Sequence, residues 1–239
     1  NPEDTIVQAA NPNDHVFNIA ASNVKVNGFG IQNATGSGYS GIYIGTNYNG
    51  CNISGNTITN NSRGVYLYAS SSNTISNNTI ENSTNYGILL YIRSTATSVH
   101  SCNSNTIWNN TLNGGNTGIS MYQSTTGSSP NYVYGGYLRF NNIANNTLIG
   151  FTNHGIELRG GYVLPGYLSY IEQNQIRNNT VVGSPTALYL FSEDASTNVQ
   201  NNVFDGNWIQ NGSYGVYMTE DLTGYGDVIG NTFTNNQFT

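Results

Sequence analysis

The stretch GVYLYASSSNTISNNTIENSTNYGILLY, running from Gly64 to Tyr91, decides the fold. It opens and nearly closes on one phrase, a small residue followed by apolar positions two apart: Gly64-Val65-Tyr66-Leu67 and then Gly87-Ile88-Leu89-Leu90, 23 residues on. Between them stand Ile75 and Ile80, flanked by Asn, Ser and Thr. Each segment keeps a period of two for only a few residues, which is too short for a helix and right for a very short strand.

Working outward, the first phrase recurs at Gly41, Gly118, Gly155, Ala187 and Gly215. A second phrase, Asn followed by any residue and an apolar one, recurs at Asn56, Asn78, Asn110, Asn146, Asn179, Asn207 and Asn231. An apolar residue stands three positions before each of these Asn: Ile53, Ile75, Ile107, Ile143, Ile176, Phe204 and Val228. A unit of three tiny strands cannot bury its apolar side alone. Stacking the units solves this, because each strand then pairs with its copy one coil away, ~4.7 Å along the axis. The repeat therefore predicts an all-β chain, a right-handed single-stranded parallel β-helix of about eight coils. One domain is expected over residues 1–239, with an opening coil over about residues 1–40. Tyr-rich insertions near residues 94–104, 124–136 and 160–170 become loops on one side, carrying Tyr132, Tyr134, Tyr137, Tyr162, Tyr167 and Tyr170.

The Asn column has a structural reading. Sharp corners need φ > 0, which Gly and Asn tolerate best, and stacked Asn amides can bond from coil to coil. Asn fills 41 of 239 positions, yet charged residues make up only 8%, against about a quarter in an average domain. The six cations, Lys25, Arg63, Arg93, Arg139, Arg159 and Arg177, never cluster, which argues against nucleic acid as a partner. No apolar run is long enough for a membrane span. Nine N-x-S/T sequons, at Asn33, Asn52, Asn60, Asn77, Asn82, Asn109, Asn145, Asn178 and Asn211, together with the low charge, point to an extracellular or cell-surface protein.

The strings CNISGNTITNNSRGVYLY (Cys51 to Tyr68) and Gly64 to Tyr91 resemble the NosD-like right-handed β-helix repeats, and Thr5 to Ile31 is similar to the opening coil of archaeal surface-layer proteins of that kind. The resemblance covers nearly the whole chain. It implies the fold and leaves function open, since such coils serve lyases, hydrolases, adhesins and envelope proteins. The copper role attached to the NosD-like name carries over to no residue, because no His, Met and Cys cluster stands in the sequence.

Alternation assigns an aromatic face. In the Gly-led strands the pairs Ile42/Ile44, Val65/Leu67, Ile88/Leu90, Ile119/Met121, Ile156/Leu158, Leu188/Leu190 and Val216/Met218 point inward. The outward columns hold Tyr43, Tyr66, Tyr68, Tyr91, Tyr122, Tyr189, Phe191 and Tyr217, with Glu157 and Arg159 among them. Such a strip reads either as stacked residues of high β-propensity or as a buried contact, with protein or with the flat faces of sugars.

Catalytic residues are not expected. The best acidic cluster, Glu193 and Asp194 with Glu220 and Asp221 one coil on, has no Lys nearby. It reads as solvated turns first and as a weak calcium site second. His15, His100 and His154 fall in unrelated coils as turn residues. Cys51 and Cys102, placed before corresponding strands two coils apart, would be about 9–10 Å apart on the bare solenoid. A disulfide then needs the 94–104 loop to fold back, and two buried free thiols are the alternative. No cofactor is expected.

The repeat begins at Thr5 and runs to the end without evident caps, so the chain is expected either to be a piece of a longer one or to stack its ends on other subunits. Two functions follow as expectations. One is an extracellular structural protein that polymerises with itself into a surface layer, sheath or filament. The other is a secreted carbohydrate-binding or carbohydrate-active β-helix, lyase-like or hydrolase-like, that uses the same rings on cell-surface glycans.

Overall fold

The chain is a right-handed parallel β-helix in which the described strand pairs are parallel and each strand bonds its copy in the next coil. The computed structural model describes residues 5–94, 99–125, 135–161, 168–193, 197–220 and 227–239. An eight-stranded sheet runs from Lys25–Asn27 through Asn52–Ser54, Thr74–Ser76, Thr106–Trp108, Asn142–Ala144, Gln175–Arg177 and Val203–Asp205 to Thr232–Thr234. That sheet counts the coils, and eight matches the repeat. After a corner each coil continues into a second short segment and then into a long strand, as in Thr57–Thr59 followed by Arg63–Tyr68. In two coils these merge into Thr79–Ser94 and Thr111–Thr125.

A further sheet was not anticipated. His100–Ser101, Gly136–Arg139, Ser169–Glu172, Thr197–Gln200 and Val228–Ile229 pair in order. The ends of the expected loops are thus strands, and Tyr137 and Tyr170 stack within them at 5.9 Å. The remainder of the 124–136 and 160–170 insertions, with Tyr132, Tyr134, Tyr162 and Tyr167, lies outside the described residues.

The core is one column of aliphatic side chains. Ile53, Ile58, Val65, Leu67, Ile75, Ile88, Leu90, Ile107, Ile119, Ile143, Ile156 and Leu158 are fully buried, one set above another. Parallel in-register pairing forces this, because Val65 lies beside Ile42 and Ile88, and Leu67 beside Ile44 and Leu90.

The Asn residues form two ladders five residues apart in each coil. One runs Asn56, Asn78, Asn110, Asn146, Asn179, Asn207 and Asn236. The other runs Asn105, Asn141, Asn174, Asn202 and Asn231, with Asn73 donating its backbone N–H to Asn105. Asn231 was expected in the first ladder and belongs to the second. Both corners read Asn-x-apolar, so the sequence pattern does not tell them apart.

From Asn78 and Asn105 onward each ladder Oδ1 accepts the backbone N–H of the Asn one coil earlier, and each Nδ2 donates to a carbonyl of that coil, as Asn78 does to Ile53. At the start of the ladders the Oδ1 atoms of Asn56 and Asn73 accept the N–H of Phe29 and of Cys51. The residue before each ladder Asn holds φ > 0: Gly55, Asn77, Asn109, Asn145 and Asn178 in the first ladder. This explains four of the nine sequons structurally, those at Asn77, Asn109, Asn145 and Asn178. In Asn77-Asn78-Thr79 the first Asn turns the corner, the second enters the ladder and Thr starts the next strand.

Cys51 and Cys102 are both free and buried, and they do not occupy corresponding positions. Cys51 stands where a ladder Asn would, donating its backbone N–H to Oδ1 of Asn73. Cys102 lies three residues before Asn105, under its Nδ2 at 3.4 Å. Burial pushes the Cys102 thiol up to about 12, which removes the reactive thiolate. A thiol reagent added to the folded protein is therefore expected to label neither cysteine, and to titrate two thiols after unfolding. Labelling of either one at the rate of a free thiol would contradict this placement.

Candidate aromatic binding face

The outward side of the long strands carries the site. Pairing sets Tyr43 beside Tyr66, Tyr66 beside Leu89, Tyr68 beside Tyr91, and Tyr91 beside Tyr122. The rings touch in sequence. Tyr43 and Tyr66 are 5.1 Å apart, Tyr66 and Tyr91 6.1 Å, Tyr68 and Tyr91 5.8 Å, and Tyr91 and Tyr122 5.4 Å. Each such contact adds about 0.5–1.5 kcal/mol beyond area burial. The strip then breaks at Ser120, Glu157 and Arg159 and resumes with Tyr189, Phe191 and Tyr217, stacked at 5.8 and 5.9 Å.

Leu89 and Ser120 are too small to fill the middle of this face. The result is a cavity of ≈ 150 Å³ lined by Arg63, Tyr66, Tyr86, Leu89, Tyr91 and Tyr122. A second hollow of ≈ 370 Å³ lies further along, lined by Asn153, His154, Thr186, Tyr189, Tyr214 and Tyr217. Burial holds the phenols of Tyr66, Tyr68 and Tyr91 above their ordinary range, and that of Tyr86, with help from Glu157 and Tyr122, reaches about 12. At neutral pH these rings are uncharged hydrogen-bonding phenols.

Sequence reading missed the column one residue before the Gly of each long strand. Arg63, Tyr86, Thr117, His154, Thr186 and Tyr214 stand in register there. Strict alternation would place Arg63 with Val65 and Leu67. Gly64 and Val65 are both buried, so alternation breaks between them, and the Arg63 guanidinium lies over the Tyr66 ring, 4.5 Å from its centre. His154 likewise stacks on Tyr189 at 4.1 Å, and burial, helped by Arg159, lowers its pKa to about 4.

Glu157 is the one buried carboxylate in the strip, 3% exposed, and it accepts a 2.7 Å hydrogen bond from the Ser120 hydroxyl. Burial raises its pKa, opposed by that bond and by Arg159. Arg159 lies between the Tyr122 and Phe191 rings and pairs with Glu193 at 3.4 Å. Glu193, expected within the acidic cluster, is thus engaged by an arginine. Glu220 pairs in register with Ser192 one coil away, and Asp194 and Asp221 lie outside the described residues. Among the described residues no three His, Cys, Asp or Glu side chains gather as a metal set.

The family model described as periplasmic copper-binding protein (NosD) matches residues 5–129 and 93–239. The chain belongs to the NosD family. No curated protein sequence matches this NosD-family chain. Among solved structures, an alginate lyase from Paenibacillus sp. str. FPU-7 is similar at a TM-score of 0.49 and 16% identity, over 97% of this chain and 89% of the lyase.

Copper, which the family description names, prefers thiolate, thioether and imidazole ligands held together. The residues present do not fit it. Cys51 and Cys102 are sealed in the core with Met121. The Nδ1 of His15 accepts from the Ser40 N–H, His100 is bonded to the Arg93 carbonyl, and His154 is stacked on Tyr189. No chemistry of this chain is therefore routed through copper. Nor is a helix long and apolar enough to cross a membrane found among the described residues.

Proposed function

We propose that this NosD-family β-helix is an exported protein that binds a polysaccharide along its long-strand face. One observation carries the reading: a row of neutral, half-buried tyrosine rings in mutual contact that opens on a cavity. Sugar rings present flat C–H faces to aromatic rings and hydroxyls to phenols, arginine and amides, and this face offers all of these. Successive rings follow the coil spacing of ~4.8 Å, close to the length of one pyranose. Binding without cleavage is the reading taken: of the two carboxylates set around Arg159, Glu193 is ion-paired with it and Glu157 accepts the Ser120 hydroxyl.

Self-association through the same rings, into a layer or filament, remains the competing use of the face, and one experiment separates the two. The triple variant Tyr66→Ser, Tyr68→Ser, Tyr91→Ser is compared with wild type by calorimetric titration against a panel of polysaccharides and by sedimentation at several concentrations. Glycan affinity is expected to fall by roughly thirtyfold or more, from about 0.5–1.5 kcal/mol per lost ring contact, with the sedimentation coefficient unchanged. A wild type that binds no glycan and polymerises, and a variant that stays monomeric, would establish the self-assembly reading instead.

A further inference from the structure

Within that glycan-binding reading, we infer that the cavity at Arg63 is the anchoring subsite for an acidic sugar unit, a pyranose carrying a carboxylate. The cavity of ≈ 150 Å³ has room for about one such ring, and its lining is five-sixths uncharged: Tyr66, Tyr86, Leu89, Tyr91 and Tyr122 beside Arg63. Arg63 is the exception and it is not neutralised. Nη1 donates to the Gly38 carbonyl at 2.8 Å, and no carboxylate pairs with the guanidinium among the described residues.

The contrast with the other two arginines set over rings is direct. Arg139 has Glu172 at 3.9 Å and Arg159 has Glu193 at 3.4 Å. Among the described residues, of the three arginines set over an aromatic ring, Arg63 alone has no carboxylate partner. A part-buried guanidinium without a counter-ion is an unfavourable arrangement unless something anionic completes it. Its planar fork suits a carboxylate in two-point contact.

The same guanidinium lies over the Tyr66 ring, 4.5 Å from its centre, and bonds the Gly38 carbonyl, so its donors are held before the ligand arrives and little entropy is lost on binding. Glu157 sits on the far side of Ser120, its carboxylate oxygen occupied by the Ser120 hydroxyl. That geometry places the negative group of a bound sugar at the Arg63 end and a hydroxyl-bearing edge at the Glu157 end. The acidic unit thereby gains an orientation as well as an affinity.

The test is a titration of the full chain with a galacturonate hexasaccharide and with the same hexasaccharide after its carboxylates are reduced to alcohols. Wild type is expected to prefer the acidic form by more than about tenfold, the scale of one charge-assisted hydrogen bond. Arg63→Gln is expected to lose that preference, its affinity for the acidic form falling to the level of its affinity for the reduced form. Arg63→Lys, which keeps the charge without the fork, should recover part of it. Because Arg63 also bonds the Gly38 carbonyl, the thermal midpoint of each variant serves as the control for an intact fold. Equal affinity of wild type for the two forms overturns the acidic subsite and leaves the glycan reading in place. Binding of neither overturns both.

Discussion

Replacing Asn146 by Ala is expected to cost about 3–5 kcal/mol of stability, from two buried groups left unpaired at about 1–3 kcal/mol each together with the lost bonds. The Asn146 side chain is 1% exposed and every polar atom of it is used. Its Oδ1 accepts the Asn110 backbone N–H at 2.9 Å and the Asn110 Nδ2 at 3.0 Å. Its Nδ2 donates to the carbonyls of Ile107 and Ala144 at 2.9 and 3.1 Å, and to Oδ1 of Asn179 at 3.0 Å. An Ala there strands the Asn110 N–H in a corner that water does not reach. Asn146→Asp tests the donor half, since the acid keeps the acceptor but would bury a charge. The neighbouring Asn145→Gly is the control: with φ at 56° the site suits glycine, and a change within about 0.5 kcal/mol is expected. Urea unfolding reads all three, and an Asn146→Ala midpoint equal to wild type would sink the ladder as a stabilising element.

The second large effect is expected at Gly118. A Cβ there would lie 2.5 Å from Cδ2 of Leu148, 2.6 Å from the Gly155 carbonyl oxygen and 3.1 Å from Cε2 of Phe151. Leu148 is a core side chain, and the Gly155 oxygen belongs to the strand paired with this one. Relief therefore comes only by parting two coils. Gly118→Ala should cost about 2–3 kcal/mol by overpacking, and Gly118→Val more. The effect is steric rather than conformational, so the thermal midpoint should drop further from Ala to Val. A Val variant as stable as wild type would show that the coils are spaced more loosely than described here.

These two residues also mark what the sequence makes legible. The period of two in Val65/Leu67 and its copies places the core correctly as far as Leu188/Leu190, because in-register stacking leaves alternation no other side to choose. Of the last expected pair, Val216 is partly buried and Met218 is 52% exposed. The Asn corners are legible as corners, for the same reason that Asn and Gly tolerate φ > 0. Their assignment to ladders is less so: two Asn-x-apolar corners five residues apart read alike, and Asn231 was aligned with the wrong one. The site is legible only in its tyrosines. Arg63, Tyr86 and His154 stand before the glycine at which alternation breaks, so their direction depends on a bend that no periodicity reports. Glu157 is visible in the outward column, but its burial follows from the rings around it in three coils. Cys51 and Cys102 read as corresponding positions, but Cys51 takes the place of a ladder Asn and Cys102 lies three residues before one, and both are buried and free.

The sequons teach a related lesson. They read as marks of an exported glycoprotein, whereas Asn77, Asn109, Asn145 and Asn178 each occupy a left-handed corner next to a ladder Asn. Corner, ladder and strand start generate N-N-T by themselves.

The most direct test of the central claim, that the aromatic face is a polysaccharide site, is a crystal structure of the wild-type chain with an acidic hexasaccharide. Sugar rings are expected over Tyr66, Tyr91 and Tyr122, running along the solenoid axis. Saccharide bound on another face, or this face buried against its copy in a second chain with the saccharide present in solution, would contradict it.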